Sequence, residues 1–396
     1  HMDQPLAIRE IKRFITDHEP PPPAPAGPAA GSLKVAVIGA GPCGLGAATF
    51  LARAGVAVTI FEARPASGGM VSATIPDYRA ASRAVERDLD HLRALGIEIR
   101  HNQEVGRDIS LNSLKSDGFS SIVIAVGARN GLRLGIEGED CQGVYDGLDF
   151  LRAARNGNPP PLGEKVGIVG GGDVAMDCSR TARRLTDGEV TVFYRRTRAE
   201  MPAHQEEIRD LLDEGGHLEE LMAPHRIEAT EGRLTSVEMT TTRLGEPDES
   251  GRRRPEPIAG GERLVELDTL IVAIGQRPDL SLFREKKVPL TPSGYLEVDP
   301  TTLETSIANV YAGGDIIGDG PSNIVKACAD GRVIANAIIS RHRGGSPKRE
   351  PEGIWPEFNH TELLRRRARS EPRVEIPHLE PERRQGFAEV VITLPQ

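Results

Sequence analysis

The chain has 396 residues, and 49 Lys and Arg against 58 Asp and Glu give a formal net charge of −9. This length suits two or three domains. The acidic balance argues against a nucleic-acid partner or an anionic membrane surface. Four widely spaced cysteines without a C-x-x-C exclude a disulfide scaffold, a zinc ribbon and an iron–sulfur cluster built by this chain alone. Reduced thiols predict a cytoplasmic location.

The N-terminal segment is predicted to be a short helix followed by a linker. The helix covers residues 3–15, with Asp3 as its N-cap and three isoleucines on one face. Residues 20–31 are rich in Pro, Ala and Gly, so we expect a semi-rigid linker without a core. Residues 35–52 carry no charge, but their four glycines and one proline predict a strand, a turn and a buried helix rather than a membrane span.

Two segments of the chain repeat one layout. Residues 34–62 and 165–196 each read as strand, Gly-rich turn, helix and strand. Each is followed by an apolar strand that ends in a small residue and Gly, at 121–127 and 269–275. The repeat predicts two dinucleotide-binding domains. Between them, the Thr-rich residues 226–266 predict a β-meander with an exposed loop at 245–261.

The first glycine motif is predicted to bind a dinucleotide with a free ribose. It runs from Gly39 through Ala40, Gly41, Pro42 and Cys43 to Gly44. In this pattern the first glycine permits a tight turn, the second admits the pyrophosphate, and the third lets the helix pack on the strand. Glu62 ends the next strand, where a carboxylate accepts hydrogen bonds from the ribose.

The second glycine motif differs in the charge that follows it. It consists of Gly170, Gly171, Gly172, Asp173 and Val174. The next strand ends in Arg195 and Arg196 and has no acidic residue. A guanidinium pairs with a 2′-phosphate that a carboxylate would repel. This pair predicts NADP(H), with NAD as the alternative coenzyme and solvated surface arginines as the structural alternative.

A third motif lies near residue 315. An apolar strand ends in Gly314 and Asp315, and a helix begins after Asn323 and Ile324. Asp315 is placed to hold a flavin ribityl hydroxyl, and the helix N-terminus is placed to stabilise the pyrimidine edge of a reduced flavin. An ordinary capped loop is the alternative interpretation.

These motifs together resemble a known family. The chain is similar to the two-domain flavoproteins related to the glutamate synthase small (beta) subunit, including the flavin part of dihydropyrimidine dehydrogenase. The resemblance covers about residues 3–343 and includes, besides the motifs above, the segments 68–70, 75–79, 201–203 and 273–278. It implies FAD in the first domain and NADPH in the second. It further implies a FAD site that includes Gly69, Met70, Arg79, Val105 and Gly127, and a nicotinamide site at Ala273, Ile274 and Gly275.

The sequence departs from this family in three places. Cys43 stands where Ala is usual, and a small packed thiol is favoured there over a reactive one. Ala80 and Ala81 replace a Leu-Pro pair after Arg79. Family members typically carry an N-terminal domain that holds two [4Fe–4S] clusters, and residues 3–14 resemble the segment just after its cysteines, so we expect that domain to be missing from this chain. With His1-Met2 in front, we expect an excised flavin module or a flavin subunit whose clusters lie elsewhere.

The resemblance implies an α/β fold with two Rossmann-like domains, the second inserted into the first. We expect residues 3–32 as helix and linker, 33–157 and 286–344 as the FAD domain, and 158–285 as the NAD(P)H domain. Residues 345–396 are expected to form a C-terminal tail. Its Arg365 to Arg367 are expected on a solvated helix face, with a partner-docking surface as the alternative. No metal site is expected.

The predicted activity is hydride transfer from NADPH to FAD, followed by electron transfer to an iron–sulfur partner. This chemistry needs stacked rings and no protein acid or base, so no catalytic side chain is assigned. His204, Glu206 and Glu207 are expected in a mobile polar segment over the NADPH site. A reductase for a free ferredoxin and a non-catalytic docking subunit stay open. A disulfide reductase needs a C-x-x-C that this sequence does not contain. A flavin monooxygenase is disfavoured because no separate substrate domain is visible in the sequence.

Overall fold

The computed structural model describes residues 7–19, 27–28, 31–247, 251–283, 288–318, 322–345, 361 and 376–392. The expected Asp3 cap, most of the 20–31 linker and Arg365 to Arg367 lie outside them. The first described element is α1 (Ile8–His18), whose three isoleucines are exposed.

The first sheet has five parallel strands in the order β15-β4-β1-β2-β3. They are β1 (Lys34–Ile38), β2 (Ala57–Phe61), β3 (Glu98–Arg100), β4 (Ser121–Ile124) and β15 (Val310–Ala312). Its helices are α2 (Pro42–Arg53), α3 (Met70–Ala73), α4 (Ser82–Ala94), α5 (Leu111–Ser116) and α9 (Ile324–His342). Because β15 lies near the far end of the described chain, the strands of the second sheet, β6 to β13, fall between β4 and β15 in the sequence.

The second sheet also has five parallel strands, in the order β6-β13-β7-β8-β9. They are β6 (Val144–Asp146), β7 (Lys165–Val169), β8 (Glu189–Tyr194), β9 (His217–Glu220) and β13 (Thr269–Val272). Its helices are α6 (Gly147–Arg155), α7 (Asp173–Leu185) and α8 (Gln205–Asp213). Strand β6 and helix α6 precede the predicted boundary at 157/158, so by sheet membership the second unit starts earlier than expected.

The Thr-rich segment forms an antiparallel meander of β10 (Met222–Thr230), β11 (Arg233–Pro247) and β12 (Arg253–Glu266). Its apolar side chains Met222, Ile227 and Val237 form one core with Phe193 and Leu270 of the second sheet. Most of the described residues within 245–261 are exposed, as expected, but the expected loop is wrong at 245–247 and 253–261, because β11 and β12 extend into it.

The chain passes between the two units twice, and the two connecting segments, here called the crossings, pair with each other. Strand β5 (Asn130–Gly131) is antiparallel to β14 (Gln276–Arg277). Beside them, one Nη2 of Arg129 lies 2.7 Å from both Glu104 and Asp279. The structure contains two Rossmann-like units and belongs to the α/β class, so the predicted fold is confirmed.

Candidate functional site

The first glycine turn leaves no room for a side chain. Gly39 follows β1 with φ of +103°, and a Cβ there would lie 2.5 Å from the carbonyl oxygen of Ala125. A Cβ on Gly44 would lie 2.0 Å from the carbonyl oxygen of Gly39, so helix α2 lies directly against the turn. This close packing brings the unpaired N–H groups at the start of α2 to the carboxyl edge of the sheet.

A second glycine pair closes over this turn. Gly69 has φ of +59°, and its Cβ would lie 2.7 Å from Cα of Gly41, the N-cap of α2. Met70 then begins α3, and its carbonyl oxygen accepts a hydrogen bond from the Thr74 hydroxyl. The Gly69 backbone therefore touches that of Gly41 beside the start of α2, which only residues without side chains allow.

Glu62 is buried and holds the turn through its carboxylate. One oxygen accepts the Ala40 N–H at 2.8 Å and the other accepts the Arg64 N–H at 2.9 Å. An ionised carboxylate has about four acceptor positions, so it retains capacity for ribose hydroxyls. Nearby, the N–H of Gln103 donates to the Glu62 carbonyl, and Val105 is buried two residues on.

The carboxamide oxygen of Gln103 supplies a test of whether a nucleotide fits. It is buried without a hydrogen-bond partner among the described residues. Such an acceptor is costly when unpaired. An adenine amino group has the donor that this oxygen needs, so the residues around Glu62 fit the adenosine half of FAD.

Cys43 is a packed thiol. It follows Pro42 in the first turn of α2, and it lies against the Gly313–Gly314 backbone. Burial raises the pKa of the thiol, and Asp330 raises it further. The helix N-terminus therefore does not make it a thiolate, in agreement with the predicted packing role.

The Gly-Asp motif is hydrogen-bonded to a side chain of helix α9. Gly314 has φ of +75°, and its N–H donates to the buried carboxylate of Asp330 at 2.9 Å. Asp315 follows, half-buried. Asn323 caps α9, its Oδ1 accepting the Lys326 N–H at 2.8 Å, while Ile324 is exposed. Gly127, with φ of +68°, ends the neighbouring strand segment.

Arg79, which is predicted to line the FAD site, pairs with two carboxylates. Its Nη1 lies 2.7 Å from Oδ1 of Asp177, and its Nε lies 2.9 Å from Oε1 of Glu207. Both carboxylates belong to the second unit. The guanidinium is thus used for contact between the units.

The second glycine turn repeats the geometry of the first. Gly170 has φ of +147°, and its Cβ would lie 2.2 Å from the carbonyl oxygen of Ala273. A Cβ on Gly171 would enter the ring of Tyr194, whereas Gly172, the N-cap of α7, has open space in front of it. The open N-cap is where a second pyrophosphate fits.

The predicted nicotinamide residues lie beside this turn. Ala273 is buried and supplies the carbonyl that Gly170 contacts, whereas Ile274 is 38% exposed. Gly275 has φ of +131°, and its carbonyl accepts the Leu132 N–H at 2.9 Å. These residues therefore join the open end of α7 to the crossing between the units.

Asp173 begins α7 and is bound by His204. Its carboxylate accepts the backbone N–H of His204 at 3.0 Å and contacts Nδ1 at 2.9 Å, and Val174 follows it, half-buried. The expected mobile segment after His204 is instead helix α8. Glu207 in that helix is bound to Arg79 and Arg180, because the charges of the neighbouring elements fix it.

The two predicted phosphate-binding arginines have different surroundings. Arg195 is exposed at the end of β8. Arg196 is buried, and its Nε donates to the carbonyl of Arg253 at 2.6 Å. The hairpin of β11 and β12 thus uses Arg196 as an anchor. Arg198, a third cation in the turn after β8, was missed, although the short Arg-Arg-x-Arg spacing contains it.

Two further findings are negative. Within the described part of the chain, no group of three or more His, Cys, Asp or Glu side chains is arranged to hold a metal ion. Among the helices that the structure describes, none has both the length and the apolar character needed to cross a bilayer.

The comparisons with known proteins agree with this geometry. The model of the family "Pyridine nucleotide-disulphide oxidoreductase" matches residues 33–331. The beta subunit of the NADP(+)-dependent formate dehydrogenase of Moorella thermoacetica is 41% identical over 387 residues, 90% of this chain and 54% of the relative. The glutamate synthase [NADPH] small chain of Escherichia coli is 35% identical over 354 residues, 85% of this chain and 75% of the relative.

Solved structures share the fold. FprA of Mycobacterium tuberculosis in complex with NADPH has a TM-score of 0.67 at 18% identity, covering 84% of this chain and 89% of that protein. Thioredoxin reductase of T. acidophilum has a TM-score of 0.58 at 19% identity, covering 78% and 98%. The chain spans about half the length of several curated relatives, among them the formate dehydrogenase subunit.

Proposed function

Because the chain belongs to the pyridine nucleotide-disulphide oxidoreductase family, we propose that it is the flavin module of an NADPH-linked electron-transfer complex. The chain is an NAD(P)H-dependent flavoprotein oxidoreductase with FAD and NADP as its cofactors. In the proposed reaction, electrons pass between NADPH, FAD and an iron–sulfur protein. The relatives are named as the beta subunit of a formate dehydrogenase and the small chain of a glutamate synthase, which supports a protein partner for this chain.

One observation carries the assignment of the two nucleotides. Two glycine turns of the same geometry lie at the carboxyl edges of two parallel sheets, and the residues after them differ in charge. The first is followed by the buried carboxylate of Glu62, and the second by the exposed guanidinium of Arg195. The first therefore suits the free adenosine ribose of FAD, and the second suits the 2′-phosphate of NADPH.

In this proposal, the residues of the chain bind and orient the two cofactors. Glu62 and the α2 N-terminus would hold the adenosine and pyrophosphate of FAD, and Asp315 and the α9 N-terminus would face the flavin. In the second unit, Gly172 would face the pyrophosphate of NADPH and Arg195 its 2′-phosphate, and Ala273 to Gly275 would lie beside the nicotinamide. When bound, the two cofactors supply the hydride chemistry. The chain contributes alignment and exclusion of water. Its four free cysteines support the cytoplasm as its location.

The test is an anaerobic visible spectrum titrated with NADPH and then with NADH. We expect flavin bands that NADPH bleaches at lower concentration than NADH does. A protein that does not take up FAD would contradict the proposal and favour a non-catalytic docking subunit.

The phosphate assignment is tested by Arg195→Gln, with Arg196→Met as the matched control. Loss of one charge-assisted contact raises the Kd for NADPH by about 10-fold or more and leaves the Kd for NADH unchanged. In Arg196→Met we expect lower thermal stability, because a buried anchor is lost, and an unchanged preference between the two coenzymes. An equal loss for both coenzymes in Arg195→Gln would refute this assignment.

A further inference from the structure

A charged contact joins the two units at a distance from their paired crossings. The segment Ile75–Arg79 leaves the first unit between α3 and α4. The Arg79 guanidinium reaches two carboxylates of the second unit, Asp177 on α7 at 2.7 Å and Glu207 on α8 at 2.9 Å. The Asp177 side chain is 5% exposed and that of Glu207 is 12% exposed, so both ion pairs are shielded from water.

The same segment is bound from a third helix of the second unit. Arg155 at the end of α6 donates to the carbonyl of Ile75, and its Nη2 lies 2.9 Å from Asp77. Tyr78 is 2% exposed, and its hydroxyl donates to the carbonyl of Asp177 at 3.3 Å. Helices α6, α7 and α8 therefore all contact this one segment.

The C-terminal segment Pro377–Ile392 covers this contact. The N–H of Val390 donates to the Tyr78 carbonyl at 3.3 Å, and Arg384 pairs with Asp210 of α8 at 3.2 Å. Arg184 of α7 donates to the Gly386 carbonyl at 2.8 Å. This segment thus bonds to both units at the same place.

We propose that Arg79 is a positioning residue that fixes the second unit against the first. Two crossing strands alone leave rotation about their common axis, and a second attachment away from them removes it. The proposal rests on the proposed function in one respect: the orientation so fixed brings the nicotinamide to the flavin at near contact. Small misalignment at that distance slows transfer strongly.

The buried carboxylates of this contact require a positive charge at position 79. Burial raises the pKa of Asp177 to about 7, and the Arg79 guanidinium opposes that rise. Without Arg79, Asp177 loses the cation that offsets its burial, whereas Glu207 keeps its pair with Arg180. The attachment between the two units is then weakened.

The test compares Arg79→Met with Arg93→Met, whose arginine is half-exposed on α4 and pairs with Glu86 and Asp90 of its own helix. In Arg79→Met we expect flavin bleaching at saturating NADPH to slow by about 10- to 100-fold. The FAD content and the Kd for NADPH stay as in the unaltered chain. Arg79→Lys restores part of the rate, and Arg93→Met has no effect.

Amide hydrogen exchange of the full chain gives a readout that needs no activity. We expect Arg79→Met to speed exchange at the crossings 128–131 and 276–280 and in the segment 377–392, with the sheets unchanged. Unchanged exchange there would overturn the proposal, whether or not NADPH reduces the protein. Loss of FAD with a normal bleaching rate after reconstitution would identify Arg79 as a flavin ligand and also overturn it. Glu207→Gln, which keeps the shape of the side chain, should give a smaller change of the same kind.

Discussion

At the scale of single residues, the two glycine turns show the same constraint twice. Gly39 and Gly170 both have positive φ, and each lies against the carbonyl of an alanine on a neighbouring strand. A side chain is excluded by space as well as by backbone conformation. The glycine spacing was therefore a strong signal in the sequence, because it reports a local geometry that other residues cannot adopt.

Because each turn depends on its own glycine, a substitution at Gly170 should disable the second turn and leave the first intact. In Gly170→Ala, the new Cβ would lie 2.2 Å from the Ala273 carbonyl oxygen. The turn and the start of α7 must shift, so we expect loss of NADPH binding with the flavin spectrum retained. Dithionite should still bleach the protein, whereas NADPH should not.

The matched control is Gly96→Ala. Gly96 also has positive φ, at +75°, but a Cβ there meets nothing within 4 Å. This variant carries the backbone strain, about 1 kcal/mol, and should keep both spectra. If Gly170→Ala binds NADPH as the unaltered chain does, the second turn is not the coenzyme site.

At the scale of elements, the start of helix α9 combines a cap with an exposed edge. Asn323 Oδ1 accepts the Lys326 N–H at 2.8 Å, and the first two helical residues, Ile324 and Val325, are exposed. Lys326 also pairs with Asp330, which in turn holds Gly314. The helix N-terminus and the Gly-Asp turn are thus one connected unit.

This connection predicts a change in flavin potential on removal of the cap. Asn323→Ala should cost about 1 kcal/mol of stability and should lower the reduction potential of bound flavin, because the helix start that stabilises the reduced anion becomes less ordered. Ser110→Ala removes the cap of α5, where Ser110 Oγ accepts the Ser113 N–H at 3.0 Å. It should show a similar loss of stability and no change in potential. If the flavin reduction potential is the same in both variants, the start of α9 does not act on the flavin.

At the scale of the whole molecule, the charged cluster at the crossings ties both units together. Partial burial opposes ionisation of Asp279, but hydrogen bonds from Arg129 and Ser281 outweigh it and lower its pKa to about 2. A carboxyl whose pKa is depressed on folding contributes stability above its unfolded value of 3.8, and loses it as the pH falls through about 2.

The corresponding prediction concerns Asp279→Asn between pH 7 and pH 2. At pH 7 the variant should be less stable by on the order of 1 kcal/mol, since solvent screens a group this exposed. The difference in Tm from the unaltered chain should shrink from pH 4 downward. Asp90→Asn, on the exposed face of α4, should show only a small difference at every pH. A difference that stays constant to pH 2 would contradict the ion-pair explanation.

Much of the candidate site was predictable because its signals are local. Strand, glycine turn and helix are adjacent in the chain, so the placement of Gly39, Glu62, Gly170 and Arg195 at two similar turns could be predicted from spacing alone. The resemblance to a family added the insertion of one unit into the other, which the strand order bears out through β15.

The placement of long charged side chains was not predictable in this way. Arg79 and Arg196 were both expected at cofactors, and both are bound to groups 98 and 57 residues away. The same holds for β6, which pairs with β13 from the other side of the second unit. A sequence pattern describes neighbours in the chain, whereas a guanidinium or a strand edge bonds to whatever the fold brings near.

The sequence by itself therefore determined the two glycine turns and the difference in charge between the residues that follow them, because backbone conformation and turn chemistry depend on adjacent residues. Only the tertiary structure decided how the two units are held together, through Arg79, Arg129 and the segment 377–392. Those contacts join distant parts of the chain, and burial makes them strong only after the fold has excluded water from them.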